Sequence, residues 1–318
     1  MRGSRQPVVA LPIASAIFVL PLPGSGAVMS YNATTLEQIT AWNSTPNGED
    51  GGLWQSGTGL AADRDFNIFV ATGNGTYDGK TGGDDFSDSV VKLIHPFGRR
   101  CDHFRVDDWF TPYSQVLLSS KDLDVGSGGV LLLPDQGEGA PHRRLLVQVG
   151  KTGSIYLIDL DQMGYFNANN NDQIVQDLEG AVGGMWATPG WWNNNVYFGG
   201  ENDYLKQYAF DPATGLLSTT PVAVSPTLFG SRGPTPSISA NGTSNAIVWV
   251  VQWDDFGKGP ATLHAYNANN IAIELYNSDQ IASRDDSGTA VKFTVPTVAN
   301  GKVYVPAVHE LSVFGLLP

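Results

Sequence analysis

Residues 195–219 read NVYFGGENDYLKQYAFDPATGLLST, and this stretch decides the fold. The apolar runs at 195–198 and 204–211 are both short enough to be strands, and a Gly-rich turn separates them. Residues 211–215 then turn the chain again, into a third run that ends at Thr219. Two turns between three short runs predict an antiparallel meander.

The same pattern recurs along the chain. We call the run equivalent to 195–198 the first strand of each repeat. These first strands centre on Phe69, Val147, Tyr197, Trp249 and Tyr304, which are separated by 78, 50, 52 and 55 residues. Because three of the four steps agree closely, the chain carries an internal repeat with a period near 52. The longer first step indicates an insertion between residues 73 and 128.

Each repeat contains further strands around the first one. Second strands are predicted at 90–94, 155–159, 204–211, 263–267 and 311–314, with a sixth copy at 28–32 that has no first strand before it. Third strands end at Trp42, Thr219 and Tyr276, and short upstream segments stand at 60–62, 130–133, 187–189, 236–238 and 295–297. The unit is therefore four short strands.

Four antiparallel strands per unit of this length are typical of a β-propeller blade. We predict an all-β chain with one propeller domain of about five four-stranded blades over residues 28–318. The units are a partial blade at 28–50, a blade with an insertion at 52–127, blades at 128–182, 183–232 and 233–291, and closing strands at 292–318. A β-sandwich is the structural alternative, but it does not explain a sustained period near 52.

Two sequence tags connect these repeats to a known family. Residues 209–215, Ala-Phe-Asp-Pro-Ala-Thr-Gly, follow an A-x-D-x-x-T-G pattern, and 31–35 and 265–270 are degraded copies. Residues 295–305 follow P-x-V-x-x-G-x-V-Y-V. Over residues 28–318 the chain thus resembles the pyrroloquinoline-quinone-type, or quinoprotein-like, β-propeller repeats. Members usually have seven or eight blades, so the half-unit at Val28 leads us to expect a partial propeller, truncated upstream.

The resembled family contains quinoprotein alcohol and glucose dehydrogenases and also non-catalytic scaffolds of the bacterial envelope. The alcohol dehydrogenases hold the quinone against two adjacent cysteines, with a calcium ion and an Asp base. Cys101 is the only Cys here, so that pair cannot exist, and no catalytic residue is carried over. We predict a non-catalytic binding or assembly scaffold without a cofactor. The alternatives are a divergent or partial dehydrogenase that uses pyrroloquinoline quinone and calcium, and a carbohydrate-binding propeller.

Charge and the N-terminus bear on partners and location. The net charge of -13 argues against nucleic acid, because phosphate binding needs an excess of Lys and Arg. Arg2 and Arg5 precede an apolar run at 8–22 and small residues, which makes 1–27 a signal-like segment, although its prolines leave an atypical N-terminal segment equally open. We expect a secreted, periplasmic or envelope-located protein without a transmembrane span. The sequence specifies no ligand and no oligomeric state.

Two kinds of residue are candidates for a site. Trp54 and Trp186 both end a Gly-Gly-x-Trp sequence just before a first strand, where a ring in a propeller can face the central channel and stack on a ligand. The alternative is packing between blades. Calcium candidates are the acidic residues Asp78, Asp84, Asp85 and Asp88, and the group Asn167, Asn169, Asn171 and Asp172. Solvated turn residues are the alternative for both groups.

Overall fold

The computed structural model describes residues 25–94 and 103–316. Strands dominate this part of the chain, and its two α-helices are short: α1 is Gln115–Ser120 and α2 is Ala282–Asp285. Single 3₁₀ turns lie at Gly79–Thr81, Val125–Ser127 and Ser278–Ile281. Among the described residues no helix has the length and apolar character needed to cross a membrane. The prediction of an all-β chain is confirmed.

The strands form six sheets, numbered here along the chain. Sheet 1 contains β1 (Ala27–Tyr31) and β2 (Gln38–Asn43), and sheet 2 contains β3 (Ala61–Ala62), β4 (Ile68–Ala71), β5 (Val90–Ile94) and β6 (Arg105–Thr111). Sheet 3 contains β7 (Leu131–Leu132), β8 (Leu145–Val149) and β9 (Ile155–Asp159); β10 (Tyr165–Phe166) then returns to extend sheet 2, and β11 (Gln176–Leu178) completes sheet 3.

Sheets 4 to 6 follow in chain order. Sheet 4 contains β12 (Gly190–Trp192), β13 (Asn195–Gly199), β14 (Asp203–Asp211), the short β15 (Leu216–Leu217) and β16 (Ala223–Phe229). Sheet 5 contains β17 (Ser237–Asn241), β18 (Ser244–Gln252), β19 (Thr262–Asn267) and β20 (Glu274–Asn277). Sheet 6 contains β21 (Thr297–Ala299), β22 (Lys302–Ala307) and β23 (Glu310–Phe314). Successive strands of each sheet pair antiparallel, whereas β10 pairs parallel to β6.

The hydrophobic core is divided into layers that lie between neighbouring sheets. In β8, Leu146 packs with Phe69 and Phe110 of sheet 2, whereas the adjacent Val147 packs with Val196 of sheet 4. Successive side chains of a strand point to opposite faces, so a strand buried on both faces needs a continuous apolar run. All five residues of β8 are buried, and all of them except Gln148 are apolar. Burial of each such aliphatic side chain contributes roughly 1.5–3 kcal/mol to the free energy of folding.

The repeat predicted the first and second strands well and some outer strands less well. All five predicted first strands are present, as β4, β8, β13, β18 and β22. In sheet 4, however, the run ending at Thr219 yields only the two-residue β15, and β16 pairs with β14 instead. The segment predicted at 187–189 becomes β12 at Gly190–Trp192.

The insertion predicted between residues 73 and 128 contains an outer strand of sheet 2 among its described residues. β6 begins at Arg105 and pairs with β5 along its length, with a bulge between Lys92 and Leu93. Cys101 and the segment 1–24, which includes most of the signal-like region, lie outside the described residues.

Candidate functional site

Loops that connect successive sheets, or two strands within one sheet, lie along one side of the stack, and we call them the loop face. It comprises residues 44–60, 72–89, 112–130, 150–154, 179–189, 200–202 and 230–236. Backbone hydrogen bonds join each loop to its neighbour: Gly73 N–H donates to Gly52 O (2.7 Å), and Glu201 N–H donates to Gly184 O (2.8 Å). Hydrogen bonds from neighbouring loops therefore hold the backbone of both Gly-Gly-x-Trp sequences in place.

Trp54 is the more exposed of two exposed aromatic residues on this face, the other being Tyr113. The Trp54 side chain is 52% exposed. A β-carbon at Gly73 would lie 3.2 Å from Trp54 Nε1 and 3.0 Å from Asp124 Oδ1, so the indole N–H and this carboxylate approach the same glycine. Glycine at position 73 leaves room for both groups, which a larger residue would separate.

An ion-pair cluster lies beside this ring. Lys151 Nζ is 2.6 Å from Asp124 Oδ2 and 2.8 Å from Asp122 Oδ1. Asp124 is buried, and its Oδ1 accepts a hydrogen bond from Asn74 N–H at 2.8 Å. Burial opposes the charged form of Lys151, but the hydrogen bonds and charges of Asp122 and Asp124 outweigh it and raise the pKa of the ammonium. Lys151 therefore remains a cation with two of its three N–H donors in use.

A second carboxyl group lies beneath the same loops. Asp88 is fully buried, its Oδ1 accepts a hydrogen bond from Val125 N–H at 3.3 Å, and its Oδ2 has no hydrogen-bond partner within residues 25–94 and 103–316. Burial raises the pKa of Asp88 to about 8, with the nearby Asp124 charge acting in the same direction. Near pH 7 Asp88 is therefore mostly a neutral acid, and the charge at this position is carried by Asp124.

Trp186, at the equivalent place in the other Gly-Gly-x-Trp sequence, is covered. The Arg232 guanidinium lies 4.5 Å from the centroid of its ring, a cation–π distance. Arg232 has a left-handed backbone (φ 72°), and its N–H donates to Glu201 Oε1 at 3.3 Å. The indole is only partly exposed, and one face of the ring is occupied by the protein's own cation.

Three of the four acidic calcium candidates, Asp78, Asp85 and Asp88, accept hydrogen bonds from backbone N–H groups. Asp78 Oδ1 accepts a hydrogen bond from Asp85 N–H (2.8 Å), and Asp85 Oδ1 accepts one from Asn47 N–H (2.9 Å). Asp84 is exposed, and Asp88 is the buried acid described above. Within residues 25–94 and 103–316, no group of three or more His, Cys, Asp or Glu side chains lies close enough to hold a metal ion.

The Asn-rich candidate group also makes internal hydrogen bonds. Asn167 Oδ1 accepts from Asn169 N–H (3.1 Å), and Asp172 N–H donates to Asn170 Oδ1 (3.2 Å). Asn171 is buried and bridges Tyr113 N–H and the carboxylate of Asp177. These contacts order the loop between β10 and β11.

Sequence reasoning missed Asp122, Asp124, Lys151 and Arg232. Lys151 stands in a Gly-Lys-Thr turn, and the acids lie in the insertion 73–128, so no shared motif connects them. Only their positions in the aligned repeat could have indicated them. The insertion that contains the two acids and the turn that contains Lys151 both fall in loops next to the Trp54 loop.

No protein-family model matches the chain, and no curated protein matches it in sequence. Solved structures resemble it in shape. The quinohemoprotein alcohol dehydrogenase of Comamonas testosteroni matches 89% of this chain at 15% identity and TM-score 0.53, over 52% of its own length. The quinohemoprotein alcohol dehydrogenase ADHIIG of Pseudomonas putida HK5 matches 88% at 14% identity and TM-score 0.50, again over 52% of its length.

A third similar structure is Sqt1 of Saccharomyces cerevisiae, which matches 93% of this chain and 67% of its own at 11% identity and TM-score 0.53. The chain thus spans about half the length of the two dehydrogenases. At these identities the likeness concerns the fold alone, and that fold is the β-propeller. The sequence resemblance to quinoprotein-like repeats is thereby supported at the level of fold.

Proposed function

We propose that the protein is a non-catalytic β-propeller binding module or assembly scaffold, secreted or located in the cell envelope, and that its loop face around Trp54 holds the ligand. Sheets 2 to 5 would be its four-stranded blades, and sheets 1 and 6 partial ones, which makes about five blades. The stacked cores between successive sheets support this arrangement. The apolar run at 8–22 supports the location.

One observation carries the choice of ligand site. Trp54 offers a half-exposed ring near the Asp124 carboxylate, which is paired with Lys151, whereas Trp186 is covered by Arg232. A flat apolar surface flanked by charge-paired polar groups fits a carbohydrate, since a sugar has an apolar C–H face and hydroxyl groups around its rim. The unused N–H of Lys151 would donate to a hydroxyl oxygen, and the carboxylate of Asp122, whose side chain is well exposed, would accept from another hydroxyl.

Two observations on the described residues speak against including pyrroloquinoline quinone and calcium in this proposal. Calcium needs six to eight oxygen ligands around one point. Asp78 and Asp85 are instead engaged with backbone N–H groups, and Asp88 is mostly protonated near pH 7. Lys151 is already neutralised by Asp122 and Asp124, so it offers little to an anionic quinone. The proposal therefore includes neither group.

The test is a titration of tryptophan fluorescence with soluble neutral hexasaccharides derived from cellulose, starch and chitin. We expect at least one to change the emission, and Trp54→Ala to weaken its binding at least about tenfold, equivalent to about 1.4 kcal/mol. Trp186→Ala is the matched control, and its affinity should stay within about threefold. Equal binding by Trp54→Ala, or no response to any sugar, contradicts the carbohydrate assignment.

A second assay tests the non-catalytic part of the proposal. The purified protein is incubated with pyrroloquinoline quinone and calcium and supplied with alcohols or sugars and a dye acceptor. We expect no turnover above the protein-free control. Sustained turnover would contradict the scaffold proposal and favour a dehydrogenase.

A further inference from the structure

The dipeptide Asn-Gly occurs four times in the chain, and the structure divides the four copies into two groups. Asn47 and Asn74 lie in the loop face, whereas Asn241 and Asn300 lie at two-residue turns, the first between β17 and β18 and the second between β21 and β22. An asparagine followed by glycine is chemically labile, because glycine has no side chain to hinder the approach of its own amide nitrogen. The sequence by itself gives all four copies the same lability.

The reaction joins the backbone to the asparagine side chain. The glycine amide nitrogen, after losing its proton to hydroxide, attacks the side-chain carbonyl carbon. The new bond replaces the bond from that carbon to the side-chain nitrogen, which takes a proton from water and leaves as ammonia. Water then opens the cyclic imide at either of its carbonyl groups, which yields aspartate or isoaspartate. One water is consumed, one ammonia is released, and nothing is oxidised.

The two hairpin turns leave the attacking nitrogen free. Gly242 and Gly301 are exposed, and neither of their N–H groups has a hydrogen-bond partner among the described residues. Asn241 and Asn300 are exposed as well, and the pairing beside Asn241 is interrupted by a register shift after Ser239. The peptide unit must rotate to bring the nitrogen onto the side chain. At such a tip this rotation breaks few contacts, so it requires only a local opening.

The peptide unit after Asn74 is held at both of its polar groups. Asn74 O accepts a hydrogen bond from Gly51 N–H at 2.7 Å, and Gly75 N–H donates to Ser119 Oγ at 3.0 Å. Asn74 and Gly75 are also only partly exposed. Rotation of this unit would break both hydrogen bonds and leave their donors and acceptors unpaired between the loops. Asn74 can therefore react only after the loops separate.

Asn47 is exposed, yet its backbone is held in the same way. Asn47 N–H donates to Asp85 Oδ1 at 2.9 Å, and Gly48 N–H donates to Thr45 O at 3.3 Å. A β-carbon at Gly48 would lie 2.3 Å from the side chain of Thr76, so this backbone packs against the neighbouring loop. What separates the loop-face copies from the hairpin copies is therefore the engagement of the glycine N–H.

We propose that Asn241 and Asn300 are sites of spontaneous deamidation in the folded protein, and that the loop face protects Asn47 and Asn74. The only co-reactant is water. Neither hairpin turn belongs to the loop face, so the modification is independent of the proposed carbohydrate site.

At Asn241 the product changes a contact between two sheets. Trp192 Nε1–H of sheet 4 donates to Gly242 O of sheet 5 at 2.9 Å. Trp192 is buried in the core layer that also contains Val248. Isoaspartate adds one methylene group to the backbone next to Gly242 and one negative charge, which displaces this carbonyl. Deamidation at Asn241 therefore weakens the packing of sheet 5 on sheet 4.

The test is peptide mapping of the purified protein during incubation at mildly alkaline pH. Trypsin places the four asparagines in four different peptides, and tandem mass spectrometry follows the conversion of each amide to the acid; the peptides are 6–64, 65–80, 233–258 and 293–302. We expect Asn241 and Asn300 to react at least about tenfold faster than Asn47 and Asn74. In concentrated urea, where the loop face is unfolded, all four should react within about threefold of one another.

Two variants test the mechanism. Asn241→Gln would need a larger ring, so position 241 should stay unmodified while Asn300 reacts at the wild-type rate. Ser119→Ala releases Gly75 N–H and should raise the ratio of the Asn74 rate to the Asn47 rate at least about threefold.

Three results would overturn the proposal. One is a folded protein in which Asn47 or Asn74 reacts as fast as Asn241. Another is reaction of Asn241 and Asn300 in urea but not in the folded protein. The third is an unchanged ratio of the Asn74 and Asn47 rates in Ser119→Ala, because the hydrogen bond of Gly75 would then give no protection.

Discussion

The two Gly-Gly-x-Trp sequences occupy equivalent positions in the fold, yet their rings end in different surroundings. Trp54 precedes sheet 2 and is half exposed beside Asp124, whereas Trp186 precedes sheet 4 and lies under Arg232. The motif therefore fixes where the indole is placed. Whether the ring is available to a ligand depends on a neighbouring loop that is distant in sequence.

The strongest test of this comparison concerns the second glycine of each motif. A β-carbon at Gly184 would lie 2.5 Å from the backbone oxygen of Lys151, whereas one at Gly52 would meet only the Trp54 ring, at 3.1 Å. Because backbone cannot move aside as a side chain can, Gly184→Ala should lower the free energy of unfolding by about 3 kcal/mol. Gly52→Ala should cost less than about 1 kcal/mol. Urea unfolding measures both, and equal losses would mean that the two loops are packed alike.

The next test uses Asp88, the acid beneath the Trp54 loop. Its pKa rises from 3.8 to about 8 on folding because it is buried. Between these values the folded state holds more protons than the unfolded state, so the free energy of unfolding falls as pH rises, by up to about 1.4 kcal/mol per pH unit. Asp88→Asn, which resembles the protonated carboxyl, removes this dependence.

We therefore expect the free energy of unfolding of Asp88→Asn, relative to that of wild type, to rise by about 2 kcal/mol from pH 5 to pH 7. Urea unfolding at several pH values measures this difference. The exposed Asp84→Asn is the control and should run parallel to wild type. Parallel curves for Asp88→Asn would show that the buried carboxyl is already ionised.

A third test removes each ring. Trp186 packs under Arg232 and is partly buried, so Trp186→Ala should lower the free energy of unfolding by about 1–2 kcal/mol. Trp54→Ala should change it by less than about 0.5 kcal/mol, as is usual for exposed positions. Thermal unfolding followed by circular dichroism compares the two. A larger loss for Trp54→Ala would make its ring structural and weaken its assignment to a ligand.

The smallest expected effect comes from uncovering Trp186. Arg232→Ala removes the guanidinium from the ring and should cost less than about 1 kcal/mol, since a partly exposed cation–π contact is worth about that much. It should also increase the quenching of tryptophan fluorescence by acrylamide, and this increase should vanish in the double variant with Trp186→Ala. If quenching does not change, another group covers the indole.

The β-strands that stack in the core could be predicted because both of their faces are buried. The runs that became β8, β13 and β18 are continuously or alternately apolar and bounded by turn residues, so pattern and structure agree. Outer strands carry fewer buried side chains and give weaker patterns. β16 and β6 were missed for this reason, and the predicted strand ending at Thr219 was displaced by β16, which pairs along more of β14.

The candidate site was predicted only in part. The position of Trp54 on an exposed loop follows from its place before a first strand, but its neighbours come from residues 122–124 and 151. The calcium candidates form a dense acidic stretch in sequence, yet Asp78 and Asp85 bind backbone N–H groups, which local sequence does not reveal. An acidic stretch of sequence predicts a negatively charged loop. Only the geometry of that loop determines which groups the carboxylates contact.

The sequence by itself determined the repeat, the all-β class and the likeness to quinoprotein-like propellers, because alternating burial and turn chemistry act over a few residues. The tertiary structure alone decided which indole is more exposed and that Asp88 is a neutral acid near pH 7. These properties arise between sheets that are tens of residues apart. Desolvation and ion pairing depend on those distant neighbours, and a local pattern carries no record of them.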